Sequence, residues 1–261
     1  EDPAPVVRAH AAIALGQIGE PNATVARLAD AADHPDVRHQ CAVAQDRIEK
    51  GVPVEPAVAD QLAALEPSAF GRMRTGDPAP DFALEDTEGD TWRLSEARGK
   101  TVVLLWVFAD WCPVCHKEFH SLIDREEQFR EQDVEVVTLE CHDRYRCRVM
   151  TGAEFRPAYW FADELPGDHP LVPYPDDRWW PHLVDRAATV GLRYGIDPWQ
   201  FAVHSEMVNR PTTVIIDPEG TVRLAYTGRY WGDRPTIGQI LDMIETDTYD
   251  FEAPPLRRGP H

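Results

Sequence analysis

The sequence predicts an α/β domain, with a central mixed sheet flanked by helices, that follows an all-α segment. An apolar run rich in β-branched and aromatic residues, Thr101–Phe108, is typical of a buried central strand. The apolar residues after Cys115 have helical spacing, and an alternating run at Val134–Leu139 predicts a second strand beside the first. Near the N-terminus, an Ala-rich helical pattern occurs twice. These observations indicate helices first and the α/β domain after them.

The N-terminal part of the chain contains an internal repeat. Its first copy, Pro5, Val7, Arg8, Ala12, Ala14 and Ile18, recurs thirty residues later as Pro35, Val37, Arg38, Ala42, Ala44 and Ile48. A period of about thirty residues with helical spacing is typical of an α-solenoid, and an Ala-rich helical hairpin is the alternative. We predict helical repeats over 1–66, including a short helix over Val52–Glu66, and a linker over 67–75.

The second domain is predicted over 76–248, and a frayed tail over 249–261. Its elements are a hairpin over about 80–94, the central strand over 101–109, a long helix over 113–131, a strand over 134–139, a helix over 182–194, a hairpin of strands at 212–217 and 221–227, and a closing helix over 236–244. The Asp217-Pro218-Glu219-Gly220 run favours the turn of the last hairpin.

The segment 141–181 interrupts this pattern. It is polar, aromatic and Pro-rich, and it contains Tyr159, Trp160, Trp179 and Trp180. Its length is unusual for a plain loop, which predicts a functional or partly helical insertion. Since it leaves the strand that ends beside the Cys112 loop, we expect it to lie over that edge, either as a cover or as an aromatic mini-core.

Trp111-Cys112-Pro113-Val114-Cys115 stands at the predicted junction of the central strand and the long helix. Partial positive charge at a helix N-terminus stabilises a thiolate on the first cysteine. The second cysteine lies one turn further on and can close a disulfide with the first, which makes a reversible two-electron switch. Two cysteines at this spacing also form half of many zinc sites. The strand-to-helix context favours the redox interpretation.

Residues 75–248 resemble a thioredoxin-like redoxin, in the superfamily of AhpC/TSA proteins and thiol:disulfide oxidoreductases. The similarity is carried, in the expected order, by Gly76–Leu84, Gly89 with Leu94-Ser95-Glu96, Gly99–Leu104, Trp111–Cys115 with Glu118, and Arg210–Gly220. The N-terminal copies, with their Val-Arg pair and small Ala residues, resemble HEAT-like repeats. The resemblance implies a thioredoxin fold and a thiol:disulfide oxidoreductase without a cofactor.

The resemblance assigns roles at the cysteine pair. It makes Cys112 the exposed nucleophile and Cys115 the resolving thiol, with Trp111 preceding them. Pro113, between the two thiols, helps to set how oxidising the pair is. Glu118 matches an acid that such reductases often place at that offset.

Two further features follow from the resemblance. Pro211 is expected in the cis form, facing the disulfide, and Arg210 before it favours an anionic substrate or a nearby acid. Trp106 stands where many thioredoxins have a buried acid, so proton handling falls to other groups. The candidates are Glu118, Glu140 and His142.

Cys141 and Cys147 follow the second strand, and three interpretations of them compete. They form a second redox pair, they are inert thiols, or they hold a metal together with His142. Their spacing is not a standard zinc spacing, so we expect no metal. Cys41, within the Ala-rich repeat, is predicted to be a small buried filler.

Three alternative functions stay open. A peroxiredoxin-type peroxidase would use Cys112, although Phe108-Ala109-Asp110-Trp111 replaces the usual Pro and Thr before the nucleophile. Glu140-Cys141-His142 resembles iodothyronine deiodinase-like redoxins, in which the acid-base group maps to His142. The non-enzyme alternative is a scaffold protein that senses redox state or metal.

Composition limits the partners and the location. The formal net charge of −19 argues against nucleic acid, and no stretch approaches 18 consecutive apolar residues, so no membrane span is predicted. Five cysteines, an odd number, favour a reducing compartment, the cytoplasm, although the chain begins at Glu1 without Met. The expected partners are a disulfide-bearing protein or small thiol substrate, an external redox partner, and a protein bound through the HEAT-like segment.

Overall fold

The computed structural model describes residues 4–19, 23–30, 33–55, 73–161, 174, 177–197, 201–253 and 255. It begins with three helices, α1 (Pro5–Ile18), α2 (Ala23–Asp30) and α3 (Pro35–Lys50). Pro5 and Pro35 stand in the first turns of α1 and α3, where the missing N–H of proline costs no hydrogen bond. The two repeat copies are therefore helical, while HEAT-like stacking stays a prediction.

The N-terminal helices pack through small residues. Ala9, Ala12, Val37, Cys41 and Ala44 form a buried cluster, which confirms Cys41 as a small core residue. Residues 56–66 of the helix predicted over Val52–Glu66 lie outside the described residues, as do 67–72 of the linker, and 52–55 are not helical.

The α/β part contains nine strands. They are β1 (Ala83–Glu85), β2 (Thr91–Arg93), β3 (Thr101–Trp106), β4 (Val134–Glu140), β5 (His182–Val184), β6 (Ala202–Val203), β7 (Glu206–Met207), β8 (Thr212–Ile216) and β9 (Val222–Thr227) among the described residues. Five of them form the central sheet in the order β5-β4-β3-β8-β9. Strands β3, β4 and β5 are parallel, whereas β8 and β9 are antiparallel to their neighbours, so the predicted mixed sheet is confirmed.

Helices cover the sheet and join its strands. They are α4 (Pro113–Ile123), α5 (Glu126–Glu131), α6 (Arg144–Met150), α7 (Thr189–Arg193) and α8 (Ile237–Glu245), with a short 3-10 turn at Leu94–Ala97. Successive residues of β3 alternate between two cores, with Val103 and Leu105 in one and Leu104 and Trp106 in the other. The α4 side chains Phe119 and Leu122 belong to the first core, on the same side as the cysteines.

The helix predicted over His182–Tyr194 is wrong in its first half. Residues 182–184 form β5, which extends the sheet by parallel pairing with β4. The carboxylate of Asp185 then accepts the backbone N–H groups of Val190 (3.0 Å) and Gly191 (2.7 Å), and these bonds hold the start of α7. A three-residue strand is defined by its hydrogen bonds to the neighbouring strand. It is too short for hydrophobic periodicity in its own sequence to identify it.

Three boundaries also differ from the prediction. The central strand ends at Trp106, and 107–109 form a buried connection. The long helix over 113–131 is divided into α4 and α5, because Arg125 has a non-helical backbone conformation (φ −119°, ψ 17°). The start of the predicted tail is packed, since the Phe251 ring lies 4.7 Å from the Tyr226 ring.

The N-terminal helices pack directly on the α/β part. Arg47 of α3 forms a buried salt bridge of 3.0 Å with Asp143, at the start of α6. Gln40 donates to Glu206 of β7 at 2.7 Å. Within the described part of the chain, no helix has the length and apolar character needed to cross a membrane.

Candidate active site

The two cysteines lie at the start of α4, next to the end of β3. Cys112 is the N-cap residue, and its carbonyl oxygen accepts the N–H groups of Cys115 (3.0 Å) and His116 (3.2 Å). Both cysteines are free thiols. The predicted strand-to-helix junction is therefore present, and it brings the two side chains within one helical turn.

Cys112 is buried, so the expectation of an exposed nucleophile is wrong. Its side chain is 1% exposed and belongs to the same hydrophobic cluster as Trp111, Tyr159 and Phe161. The Trp111 ring lies 5.4 Å from the Tyr159 ring and 5.6 Å from the Phe161 ring. Tyr159 and Phe161 of the insertion thus pack on Trp111, the residue before Cys112, while a cover over Cys112 itself stays a prediction.

The negative charge of the reduced cysteine pair is stabilised more on Cys115 than on Cys112. Burial opposes ionisation of Cys115, but Cys112 and the Arg234 guanidinium outweigh it and lower the pKa of Cys115 to about 6. Arg234 Nη2 donates to Cys115 Sγ at 3.1 Å, and the Phe108 N–H donates at 3.4 Å. Burial and the neighbouring Cys115 raise the pKa of Cys112 well above its usual value. In the reduced protein, the contact with Arg234 favours the thiolate on Cys115, and a thiolate on Cys112 at the helix start stays a prediction.

Glu118 bonds to the same arginine as Cys115. Arg234 Nη1 donates to Glu118 Oε2 at 2.8 Å. Burial raises the pKa of Glu118 to about 7, against the opposing effect of Arg234. A carboxyl group with a pKa near neutrality, close to a thiol, can exchange a proton with it. Glu118 is therefore the proton-handling candidate that lies at the thiols.

His116 anchors the first turn of α4. Its Nε2 donates to the Asp110 carbonyl oxygen at 2.8 Å, and its Nδ1 lies 2.5 Å from the Tyr174 hydroxyl. Burial lowers the pKa of His116 to about 4, so the ring is neutral near pH 7 and Nδ1 accepts from Tyr174. Tyr174 thereby holds the insertion against the helix that carries the thiols.

Asp110, two residues before Cys112, is fixed by two arginines. Arg156 Nε lies 2.6 Å from Asp110 Oδ2, and Arg146 bonds to both Asp110 and Glu206. All four side chains are buried. The ion pairs fix the loop that leads from β3 into the cysteines.

Glu140 and His142 form a separate cluster at the end of β4. The Glu140 carboxylate contacts His142 Nδ1 at 2.5 Å and His182 Nε2 at 3.2 Å. Burial opposes ionisation of Glu140, but the two histidines outweigh it and hold its pKa far below the usual range. Burial, aided by Glu140, raises the pKa values of the Cys141 and Cys147 thiols. In their present surroundings both thiols are neutral.

The structure groups metal-ligand types differently from the set Cys141, His142 and Cys147. Glu140, Cys147 and His182 have ligand atoms within 4.8 Å of one another, as do Asp110, Glu140 and His142. The Glu140 oxygens already pair with the two histidines, which satisfies these groups without an ion. Cys141 belongs to neither group among the described residues.

Pro211 stands at the start of the strand that pairs antiparallel with β3. It precedes β8, whose Thr212 pairs with Trp106 at the end of β3, and its carbonyl oxygen accepts the Gly228 N–H at 2.8 Å. The exposed Arg210 lies 5.3 Å from the Phe201 ring centre. The cis form of Pro211 and the substrate role of Arg210 stay predictions.

Residues 75–225 match the AhpC/TSA family. The chain belongs to that family. Among AhpC/TSA-related proteins, it is 29% identical to the thiol-disulfide oxidoreductase ResA of Bacillus subtilis over 59% of this chain and 67% of that protein. It is also 29% identical to ResA of Geobacillus thermodenitrificans, over 70% of this chain and 90% of the relative. These relatives and the family match show a thioredoxin-like oxidoreductase.

Peroxiredoxins occur among the similar proteins as well. The chain is 25% identical to a putative peroxiredoxin in the rubredoxin operon of Clostridium pasteurianum, over 57% of this chain and 75% of that protein. A solved structure of a cysteine-to-serine mutant of peroxiredoxin 6 from Arenicola marina superposes with a TM-score of 0.52 and 17% identity. That superposition covers 66% of this chain and 72% of the other, and it confirms the thioredoxin fold.

Arg234 is the residue of the site that the sequence did not indicate. It lies 119 residues after Cys115, outside any motif with fixed spacing to the cysteines. The aromatic stretch that precedes it, Tyr226–Trp231, is visible in the sequence, but a single arginine beyond it gives no signal. Only the folding of the segment before α8 onto α4 brings Arg234 to the thiols.

Proposed function

We propose that this AhpC/TSA-family protein is a thiol:disulfide oxidoreductase whose redox-active pair is Cys112 and Cys115. The observation that carries the proposal is the placement of both thiols in the first turn of α4, with Arg234 bonded to Cys115. A cation beside one thiol stabilises its thiolate, which is the species that attacks or leaves in disulfide exchange. The naming of ResA relatives as thiol-disulfide oxidoreductases supports the same activity.

In the proposed reaction, Cys112 forms the mixed disulfide and Cys115 resolves it. Cys112 sulfur bonds to one sulfur of the substrate disulfide and gives up its proton, and the other substrate sulfur leaves and takes up that proton as a thiol. Cys115 thiolate then attacks Cys112, which closes the Cys112–Cys115 disulfide and releases the second substrate thiolate. An external dithiol resets the pair. The two electrons move from the protein dithiol to the substrate and are replaced by the external reductant.

The burial of Cys112 supports a restricted substrate. Trp111, which directly precedes Cys112, packs against Tyr159 and Phe161 of the insertion, and we infer that these rings form part of a cover over the thiol. We infer that the substrate is a small disulfide or a specific protein segment that displaces part of this cover, and that bulky disulfides react slowly. The neutral Cys141 and Cys147 thiols support a structural role for these two residues.

Single-cysteine variants test the proposed roles. We expect Cys112→Ser to abolish reduction of a disulfide substrate, and Cys115→Ser to accumulate a mixed disulfide on Cys112, since the resolving thiol is missing. Peptide mass spectrometry locates the adduct, and Cys41→Ser is the matched control that should keep activity. A stable adduct found on Cys115 in the Cys112→Ser variant, with turnover retained, would reverse the roles.

A peroxidase is the second candidate, favoured by the peroxiredoxin relative and by the family match. In that reaction, Cys112 sulfur attacks a peroxide oxygen and becomes a sulfenic acid, and the Cys112 proton goes to the other oxygen, which leaves as water or alcohol. Cys115 then condenses with the sulfenic acid to give a disulfide and water, and an external dithiol reduces that disulfide. Peroxide consumption with dithiothreitol as reductant, compared with insulin reduction under the same conditions, separates the two functions.

We propose the cytoplasm as the location, because five cysteines do not make a complete set of disulfides. Trapping of thiols in cells by rapid alkylation tests this. Fully reduced Cys41, Cys141 and Cys147 are expected in a reducing compartment.

A further inference from the structure

Arg234 connects two buried groups of α4. Its Nη2 lies 3.1 Å from Cys115 Sγ, and its Nη1 lies 2.8 Å from Glu118 Oε2. The guanidinium is a planar fork with fixed donor directions, so one side chain reaches both acceptors without bending. The Arg234 and Glu118 side chains are 5% and 6% exposed, which leaves little water to screen their charges.

The backbone on both sides of Arg234 is fixed. Its Nη2 also donates to the Trp231 carbonyl oxygen at 2.9 Å, which ties the side chain to its own loop. Two residues later, Thr236 begins α8 with a capping box, in which Thr236 and Gln239 exchange side-chain bonds with each other's backbone N–H. The arginine therefore stands at a defined point between a turn and a capped helix.

Among the described residues, four ionisable groups interact electrostatically with the Cys115 sulfur. Cys112 and Glu118 come from α4, Arg234 from the segment before α8, and Tyr174 from the insertion. Burial and the charge of Cys115 raise the pKa of Tyr174 well above its usual value, so this phenol is neutral. Glu118 and Cys115 compete for the same cation, because each bonds to one arm of Arg234.

We propose that Arg234 is a positioning residue that holds the negative charge of the redox pair on Cys115. This assignment rests on the proposed function and deepens it. When an external dithiol reduces the protein, its thiolate bonds to Cys112 sulfur, the Cys112–Cys115 bond breaks, and Cys115 leaves as a thiolate next to Arg234. The second thiol of the reductant then displaces Cys112, which takes up a proton, and the reductant becomes a disulfide.

The contact between Arg234 and Cys115 also favours the reaction in the other direction, in which the protein reduces a substrate. With a substrate bound to Cys112 as a mixed disulfide, Cys115 is already a thiolate and attacks without first losing a proton. Stabilising the thiolate also stabilises the reduced protein relative to the disulfide. Arg234 thus makes the pair more oxidising than it is without this cation, and Glu118 weakens the effect by drawing on the same guanidinium.

Titration of the reduced full-length protein, followed by ultraviolet thiolate absorbance, tests the assignment. We expect one thiolate to form with a midpoint near the pKa of about 6 of Cys115. Arg234→Gln should raise that midpoint by about one to three pH units, since an opposite charge at this distance has effects of this size. Glu118→Gln should leave it nearly unchanged, because burial raises the pKa of Glu118 to about 7 and the carboxyl is therefore mostly uncharged at the midpoint, as glutamine is. A shift that occurs with Arg234→Gln and not with Glu118→Gln is not expected from a general loss of packing.

Arg229→Gln is the matched control. Arg229 lies in the same loop and pairs with Asp233 at 2.6 Å, so its removal deletes a charge nearby without touching the thiol. The Arg229→Gln variant should titrate with the same thiolate midpoint as the unmodified protein. At neutral pH, Arg234→Gln should also shift the equilibrium with dithiothreitol about fivefold to tenfold toward the protein disulfide, which follows from the raised midpoint.

The assignment is overturned if Arg234→Gln leaves the midpoint unchanged or if Glu118→Gln raises it as much as Arg234→Gln does. Should Arg234→Gln fail to fold, Arg234→Met takes its place, since it also removes the charge and keeps an extended side chain, and the same rise of the midpoint is expected. The titration needs no turnover. A protein that titrates as expected but reduces no disulfide would refute the proposed function and leave the role of Arg234 standing.

Discussion

At the scale of single residues, burial decides which side chains carry charge. His39 stacks on the Tyr159 ring at 3.6 Å, and its Nε2 accepts from Arg156 at 3.1 Å. Burial, with the nearby Arg156 and Arg146 charges, lowers the pKa of His39 to about 3. His39 is therefore neutral at every pH at which the protein is expected to work, and it contributes an acceptor to the network around Asp110.

We predict that His39 makes the protein less stable in mild acid. Unfolded His39 binds a proton below its ordinary pKa of about 6.5, whereas folded His39 does not until about 3. Stability therefore falls as pH decreases from 6.5 toward 3, by up to about 1.4 kcal/mol per pH unit from this residue. His39→Gln, which keeps an acceptor but does not titrate, should reduce the slope of unfolding free energy against pH by about one proton. An unchanged slope in urea denaturation would contradict the assignment.

The sequence indicated those site residues that lie close together along the chain. Cys112, Cys115 and Glu118 fall within seven positions, so their spacing on a helix start is informative. Arg234 could not be identified from spacing, because tertiary packing alone brings it into contact with Cys115. The burial of Cys112 could not be predicted either, since it depends on where the insertion lies, and that segment has no strong periodicity.

At the scale of elements, the hydrophobic pattern predicted long elements well and short ones poorly. Strands β3, β4, β8 and β9 and the helices α1, α3, α4 and α8 lie where apolar alternation or helical spacing placed them. Strand β5 was missed because its pairing with β4, and not its own sequence, defines it. The hairpin β6–β7 turns through His204 and Ser205 at φ 50° and 59°, a conformation that glycine or asparagine would have signalled.

We predict that the contact between α1 and α3 depends on Gly16. A Cβ atom there would lie 2.8 Å from Ala44 Cα and 2.9 Å from Ala44 Cβ, too close for the helices to keep their spacing. Alanine favours the helix by about 1 kcal/mol, but overpacking costs about 1–3 kcal/mol, so Gly16→Ala should lower stability.

Gly238→Ala is the control for this change, because no atom lies within 4 Å of a Cβ at that helical position. It should leave stability unchanged or raise it by about 0.5 kcal/mol. Thermal unfolding of both variants checks the pair of expectations. A Gly16→Ala protein as stable as Gly238→Ala would show that α1 moves freely on α3.

At the scale of the whole molecule, the N-terminal helices and the AhpC/TSA-type part are joined by buried polar contacts. Arg47 pairs with Asp143, and Gln40 with Glu206, which in turn bonds to Arg146 beside Asp110. A chain of buried polar contacts, from Gln40 through Glu206 and Arg146 to Asp110, thus runs from α3 to the loop before Cys112. We predict that residues 1–66 contain no catalytic group, although the helices within them help to hold groups that lie near the thiols.

We predict that Arg47→Leu destabilises the molecule as one unit. Removing one partner of a buried ion pair leaves Asp143 without its neutralising charge, at a cost of about 3–5 kcal/mol. Arg8→Leu is the control, because Arg8 pairs with the exposed Asp33 and its loss should cost less than about 1 kcal/mol. Calorimetry should show a single transition at lower temperature for Arg47→Leu. Two separate transitions, with only one shifted, would mean that the N-terminal helices unfold independently.

The burial of Cys112, which is 1% exposed, also limits the rate at which the protein can exchange electrons with a partner. A partner sulfur can reach Cys112 only after the side chains packed around it move apart, so encounter and chemistry are separated by a conformational step. At high partner concentration the observed rate then equals the opening rate and no longer increases. At lower partner concentrations, the protein distinguishes between partners by how well each of them binds the opened form before it closes.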